Sequence, residues 1–294
     1  MGIISYNKKR LISLLRYLDT KPTFSRLFYW IYEIRKDELK TDKFMAVKMD
    51  GGYLLGCYEY RKHRTWKKFV ESPFESDEVA IVKKLMPYFD CFIDIGAHIG
   101  YYSCLMNKMR PDMNIIAFEP SRDNVRSLEK NLRINDAKKT VIHPVGLGIK
   151  KETLTLYGND AGGSIVRGTY NEIPIEKITV NIDRLDNYTN EIPTNASVFI
   201  KIDVEGNEYF ALEGADQFIK RVRPIGFIIE IIKYWSGGEN PRFLETFALM
   251  DKYGYDGYEI TDTASLEKIK DRNKITGASY IFLRKDLSKK LERI

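Results

Sequence analysis

The chain has 294 residues, 44% of them hydrophobic and 30% charged, with a formal net charge of +6. That length suits one large α/β domain with an extension or two small domains. No apolar stretch approaches the ~18 residues that would span a bilayer, and the three cysteines, 57, 91 and 104, have no metal-type spacing.

The charge is uneven. Residues 1–43 hold ten Lys/Arg and five Asp/Glu, a net of +5, so the remainder is close to neutral. A nucleic-acid enzyme would carry its basic surface around the active site, so no nucleic-acid partner is expected. The N-terminus is basic but lacks an apolar core with a small-residue cleavage site, so no signal peptide is read. Buried free thiols in a reducing, cytoplasmic setting follow from the cysteine contexts.

In chain order, residues 1–42 form a basic helical extension. Leu11, Leu14, Leu15 and Leu18 fall at helical spacing behind Lys8-Lys9-Arg10, and Leu27, Trp30, Ile31 and Ile34 repeat the stripe after Pro22. Such helices can lie on an anionic membrane surface, pack on the catalytic domain, or dimerise; packing is the simpler reading. Residues 43–88 form a pre-domain: a β-hairpin around Asp50-Gly51-Gly52, then a helix Asp77–Met86 capped by Ser76. It would serve as a lid or as a packing layer.

From 89 to 288 strands and helices alternate, the pattern of a mostly parallel sheet. A helix capped by Ser121 would turn Val125, Leu128 and Leu132 to the sheet. Residues 151–186 read as an antiparallel insertion with a flexible Ala161-Gly162-Gly163 loop. A strand Val198–Asp203, one long helix Glu208–Val222, and further strands at Ile225–Ile232, Tyr255–Ile260 and Tyr280–Arg284 complete the domain.

Two stretches carry chemistry. In Cys91–Tyr102, CFIDIGAHIGYY, an apolar strand ends at Gly96 and a helix begins past Gly100. A strand, a glycine turn and a helix N-terminus form the opening unit of a nucleotide-binding α/β domain. The spacing is Asp-x-Gly-x-x-x-Gly; His98 occupies the position where a dinucleotide pyrophosphate requires glycine, which disfavours NAD and a dehydrogenase. Glu119 closes the next apolar run, 23 residues after Gly96, placed for a ribose diol. A glycine turn alone marks many ordinary junctions; Glu119 moves the reading to an adenosine-type ligand without phosphates, most economically S-adenosylmethionine.

In Phe199–Ala215, FIKIDVEGNEYFALEGA, the residues Lys201, Asp203 and Glu205 alternate and would share one face of a continued strand. The neighbouring run GFIIEII carries Glu230. Carboxylates at converging strand ends are costly unless they pair, bind metal or move protons. A structural Lys201–Asp203 ion pair with Glu205 as a helix cap is the simpler alternative.

DIGAHIGYYS, AFEPSRDNVRSLEKNL, KIDVEGNEYFALEGA and IIEI, in this order, resemble the FkbM-type methyltransferase family over about 43–285. The resemblance implies a class I methyltransferase fold, α/β and Rossmann-like, with seven mostly parallel strands. It implies an S-adenosylmethionine-dependent O-methyltransferase acting on sugar hydroxyls of surface glycans or glycosylated metabolites. Asp94, Gly96, Ala97 and His98 would form the first part of the cofactor site, and Gly100, Tyr102, Glu119 and Pro120 the rest. His98 stands where such proteins often carry Asn. Asp203 is the first candidate for the base, with Lys201, Glu205 and Glu230 beside it. Asp203, Glu205 and Glu230 together would suit Mg²⁺ or Mn²⁺, should a metal be used. Tyr101, Tyr102 and Trp235 are candidates to stack on a sugar. A lipid or small phenolic acceptor, or a non-catalytic cofactor-binding scaffold, is the alternative; the intact carboxylates speak against a scaffold.

Overall fold

The structure, a computed structural model, describes residues 45–49, 51–57, 74–157, 177–235, 238–275 and 277–291. The expected helices of 1–42 and the 161–163 loop lie outside the described residues. The first elements are β1 (Met45–Lys48) and β2 (Leu54–Cys57), paired antiparallel from Met45↔Cys57 to Lys48↔Leu54 as the expected hairpin. Its turn closes with Gly52 N–H donating to the Met49 carbonyl at 2.8 Å.

The centre of the sheet is built from five-residue, mostly apolar runs that bury both faces, as parallel strands do, and the four-residue strand Thr140–His143 lies outside them. β3 (Cys91–Ile95), β4 (Asn114–Phe118), β5 (Thr140–His143), β9 (Val198–Ile202) and β10 (Gly226–Glu230) run parallel. Between them come α1 (Ser76–Leu85) before β3, α2 (Tyr101–Met109), and α3 (Arg122–Ile134). After β5, the strands β6 (Gly146–Leu147), β7 (Glu152–Tyr157) and β8 (Lys177–Asp183) form a separate small sheet in the order β6-β8-β7. Helices α4 (Glu208–Glu213) and α5 (Asp216–Val222) precede β10. The short pair β11 (Tyr234–Trp235) and β12 (Gly238–Glu239) follows it, then α6 (Phe243–Lys252), β13 (Tyr255–Ile260), β14 (Leu266–Lys268), β15 (Ser279–Arg284) and α7 (Lys285–Leu291).

The large sheet has the order β5-β4-β3-β9-β10-β15-β13-β14, with β15 antiparallel to both of its neighbours. This is the mostly parallel α/β sheet of the class I methyltransferase fold expected above, its seven strands joined at the edge by the three-residue β14. The strand order reverses between β3 and β9, and ligands of open α/β sheets bind at such a switch.

Alternation assigns the two faces. Phe92 of β3, Phe199 of β9 and Ile228 of β10 enter the layer shared with the hairpin, α1, α2 and α3. Ile93, Ile95, Ile200, Ile202, Phe227 and Ile229 enter the opposite layer with α4 to α6. Cys57, Cys91 and Cys104 are buried free thiols.

Four details differ from expectation. α1 is capped by Glu75, in left-handed backbone at φ 48°, and Ser76 is its first residue. Val125 is only half-buried on α3, because Asn124, Ser127 and Asn131 face inward with Leu128 and Leu132. Asn131 explains why: its amide donates to the Gly56 and Ile99 carbonyls, both at 2.7 Å, and accepts from Gly56 N–H at 2.8 Å. One turn later Asn135 exchanges two bonds with Leu54, so the open edge of β2 is satisfied by side-chain amides. Ser121 precedes α3 without a side-chain cap bond. The expected helix 208–222 is broken at Gly214-Ala215, where a Cβ on Gly214 would stand 1.8 Å from the Gly148 carbonyl oxygen.

Candidate active site

The parallel register sets three ionisable side chains side by side. Asp94 pairs with Lys201 across β3 and β9, and Ile228 pairs with Lys201 across β9 and β10, which brings Glu230 opposite Asp203. All sit on the Phe92/Phe199/Ile228 face, at its carboxyl edge. Lys201 is buried; its ammonium lies 2.8 Å from Asp203 Oδ2 and 4.9 Å from the centre of the Tyr102 ring.

Electrostatics follow from crowding carboxyls around one buried cation. Burial works against the Lys201 charge, but Asp203, Asp94 and Glu75 outweigh it and hold the proton on. Burial likewise opposes ionisation of Asp203, yet the Lys201 ammonium and a hydrogen bond from Glu230 keep its carboxyl below the usual range. Glu230 is pushed up to about 10, first by the Asp203 charge and then by burial, so at neutral pH it keeps its proton and donates a hydrogen bond to Asp203. The Lys201–Asp203 ion pair weighed from sequence is therefore present, in a cluster that also holds a neutral Glu230.

β9 ends at Ile202, so Glu205 does not continue it. It sits in a left-handed turn, φ 53°, followed by Gly206 at φ 96°. Glu208, nearly inaccessible, braces the turn by accepting from Gly206 N–H at 2.9 Å; burial pushes its carboxyl up to about 7. Glu205 nonetheless lines the same cavity as Asp203 and Glu230.

The glycine turn is dictated by the protein itself as much as by any ligand. Gly96 has φ 79°, and a Cβ there would stand 1.8 Å from the Asp203 carbonyl oxygen. Gly100, φ 90°, leaves room for Leu128 of α3, which a Cβ would meet at 2.5 Å; it does not line the cavity. What the structure gives Gly100 is a helix-packing role. Asp94, Gly96, Ala97, His98, Tyr102, Glu119 and Pro120 all do line it.

Glu119 closes β4 and is buried. Its Oε2 accepts from His98 N–H at 2.8 Å, and Oε1 accepts from Ser121 N–H at 2.9 Å and Asn124 Nδ2 at 3.2 Å. Burial pushes its carboxyl up, while His98 and those donors pull it back. A carboxylate oxygen accepts about two bonds, so Oε2 keeps one acceptor position for a ligand hydroxyl. Asp94 Oδ2 accepts from Ser103 Oγ at 2.6 Å and Ser103 N–H at 3.1 Å. Its Oδ1 is buried without a partner among the described residues, an acceptor waiting for a cationic or N–H donor.

These two ends share one cavity of about 320 Å³, at the lower limit of small-molecule sites. Sequence reasoning missed two of its walls. Leu147, Leu156, Ile178 and Ile182 come from the small β6-β8-β7 sheet and, with Phe118, give the cavity an apolar lining. The signal was the alternation of Leu154/Leu156 and Ile178/Val180/Ile182. Glu75 lines the other wall and is pushed up to about 7, chiefly by burial. Nothing in the sequence set it apart from the other surface acids. The hairpin contributes no described residue to the cavity, so β1 and β2 act as a packing layer. Tyr101 and Tyr102 line the cavity; the Trp235 side chain lies outside the described part.

The three-carboxylate metal set is corrected. Among the described residues no group of three His, Cys, Asp or Glu side chains is arranged to hold a metal ion. Asp203 is already engaged by Lys201 and Glu230. Among the described residues no helix is long and apolar enough to cross a membrane.

The profile of the methyltransferase FkbM domain matches residues 94–256. Methyltransferase 1 of Beauveria bassiana (strain ARSEF 2860) is 29% identical over 148 residues, 43% of this chain and 59% of the relative. Methyltransferase sdnD of Sordaria araneosa is 30% identical over 155 residues, 42% of this chain and 60% of the relative. The match thus spans about three-fifths of the length of these curated relatives. The crystal structure of methyltransferase FkbM from Methylobacillus flagellatus KT is similar at 20% identity and a TM-score of 0.42, covering 66% of this chain and 43% of that one.

Proposed function

The chain belongs to the methyltransferase FkbM family, and from that premise we propose that it is an S-adenosylmethionine-dependent O-methyltransferase acting on a sugar hydroxyl. One observation carries the reading: a single cavity joins the Glu119 end to the Lys201–Asp203–Glu230 end. The residues present fit the cofactor. The free position on Glu119 Oε2 suits a ribose hydroxyl, the unpartnered Asp94 Oδ1 suits an ammonium, and the apolar lining from Phe118 and the small sheet suits a purine.

When bound, the sulfonium supplies an electrophilic methyl group with its own leaving group. The protein's task is to align an acceptor oxygen with that methyl and to accept a proton, and alignment supplies much of the rate. Asp203, ionised beside Lys201, and Glu205 offer hydrogen-bond acceptors at the cavity end. Several acceptors at one end suit an acceptor molecule with neighbouring hydroxyls, a sugar, better than a lipid chain or a phenol. Glu230, protonated and bonded to Asp203, keeps the cluster from accumulating negative charge.

Calorimetry with S-adenosylhomocysteine and NAD, followed by donor-consumption assays on free sugars, glycan fragments, lipids and phenols, tests this. Binding of S-adenosylhomocysteine with turnover on a sugar is expected. Preference for NAD would overturn the methyltransferase reading, and turnover confined to lipids or phenols would overturn the acceptor class.

A further inference from the structure

Glu75 precedes the stretch matched by the family profile, yet it stands at the catalytic end of the cavity. Its placement is built. The Tyr101 hydroxyl donates to the Phe74 carbonyl at 2.8 Å, and the two rings meet edge to face at 5.2 Å. Phe74 thereby fixes the next residue, Glu75, in left-handed backbone, φ 48°, which a non-glycine residue adopts at a cost. The Glu75 carboxyl faces the Tyr102 hydroxyl, which is buried and lacks a full hydrogen bond.

We propose, resting on the methyltransferase reading above, that Glu75 is the carboxylate that takes the acceptor's proton, with Tyr101 as its positioning residue. In that step the acceptor oxygen gains the methyl carbon, and the carbon–sulfur bond pair stays on sulfur. The hydroxyl proton passes to Glu75. The neighbouring carboxyls are poorly suited to the task. Asp203 is a weak base because Lys201 stabilises its charge, and Glu230 already carries a proton. Burial sets Glu75 near 7; Lys201 and Tyr102 pull it down, and Asp203 and Glu78 push it up. A base with a pKa near the working pH is the most effective. Glu205 and His98 also face the cavity, and Glu208 titrates behind the turn.

Sinefungin, in which an ammonium-bearing carbon replaces the methylated sulfur, reports the charge at the transfer point without needing an acceptor. Its affinity relative to S-adenosylhomocysteine, measured by calorimetry, is expected to rise about ten-fold between pH 5.5 and 8.5 as Glu75 ionises. Glu75→Gln, checked for folding by near-ultraviolet circular dichroism, should abolish the rise, which separates Glu75 from His98, Glu205 and Glu208. Tyr101→Phe, which keeps the carboxyl but releases Phe74, should reduce it. A flat ratio in the wild type, or an undiminished rise in Glu75→Gln, overturns the proposal. If neither nucleoside binds, the methyltransferase reading has failed, and this inference falls with it.

Discussion

Lys201 and Asp203, two residues apart at the end of β9, form a 2.8 Å ion pair whose ammonium has only 8% of its side chain exposed. Strand geometry alone places them on one face, and the register with β3 then sets Asp94 against the same cation. The pair holds charge where the cavity needs a fixed hydrogen-bond acceptor, and its cost is carried by the surrounding packing.

Asp203→Asn therefore has two expected effects. Turnover falls about 10²-fold, because an acceptor hydroxyl loses its anionic partner and drifts. Stability falls by roughly 2–3 kcal/mol, below the value for a fully buried pair because Asp203 is partly exposed. Removing the Asp203 charge also lowers the Glu75 pKa, so the acid limb of the pH–rate profile moves to lower pH. Urea denaturation and pH–rate curves check both; a folded variant with unchanged turnover would leave Asp203 a structural residue only.

Glu119→Ala should weaken S-adenosylhomocysteine binding by about 1.5–3 kcal/mol, the worth of a hydrogen bond to a charged group. The loss has a second source, since His98, Ser121 and Asn124 all donate to this carboxylate and would lose their anchor. Calorimetry reads it directly. An affinity within two-fold of wild type would remove Glu119 from the cofactor site.

Glu208 makes stability depend on pH in the sense opposite to most carboxylates. Its folded pKa, about 7, lies above its ordinary value of 4.5. The unfolded chain therefore releases this proton first, and stability present below pH 4.5 is lost as the pH rises towards 7. Glu208→Gln should remove about 3 kcal/mol of that decline. Denaturant midpoints from pH 4 to 8 measure it; parallel curves for the two proteins would sink the assignment.

Asn131→Ala leaves the Gly56 N–H and the Gly56 and Ile99 carbonyls without their partner. A loss of about 3 kcal/mol is expected, with cofactor affinity unchanged because no described residue of the hairpin lines the cavity. Denaturation and calorimetry on one preparation separate the two. Weakened cofactor binding would show that the hairpin reaches the site.

Local chemistry alone settles most of the elements and part of the donor set. The runs Phe92–Ile95, Ile115–Phe118 and Phe199–Ile202 are apolar on both faces apart from Asp94 and Lys201, the pattern of central parallel strands. Acids at their carboxyl ends could be named before any contact was known, as could the hairpin at Gly51-Gly52. Spacing could not tell which glycine serves the ligand. Gly96 is bounded by Asp203 and Gly100 by Leu128, contacts between residues distant in sequence. Nor could spacing divide the carboxyls into an ionised Asp203, a protonated Glu230 and a Glu75 near neutrality. A pKa in a buried cluster depends on how many charges share one cation and how much water they lose. Those quantities exist only once β3, β9, β10, α1 and α2 have packed together, and packing also brings Glu75 and the small β6-β8-β7 sheet to the cavity.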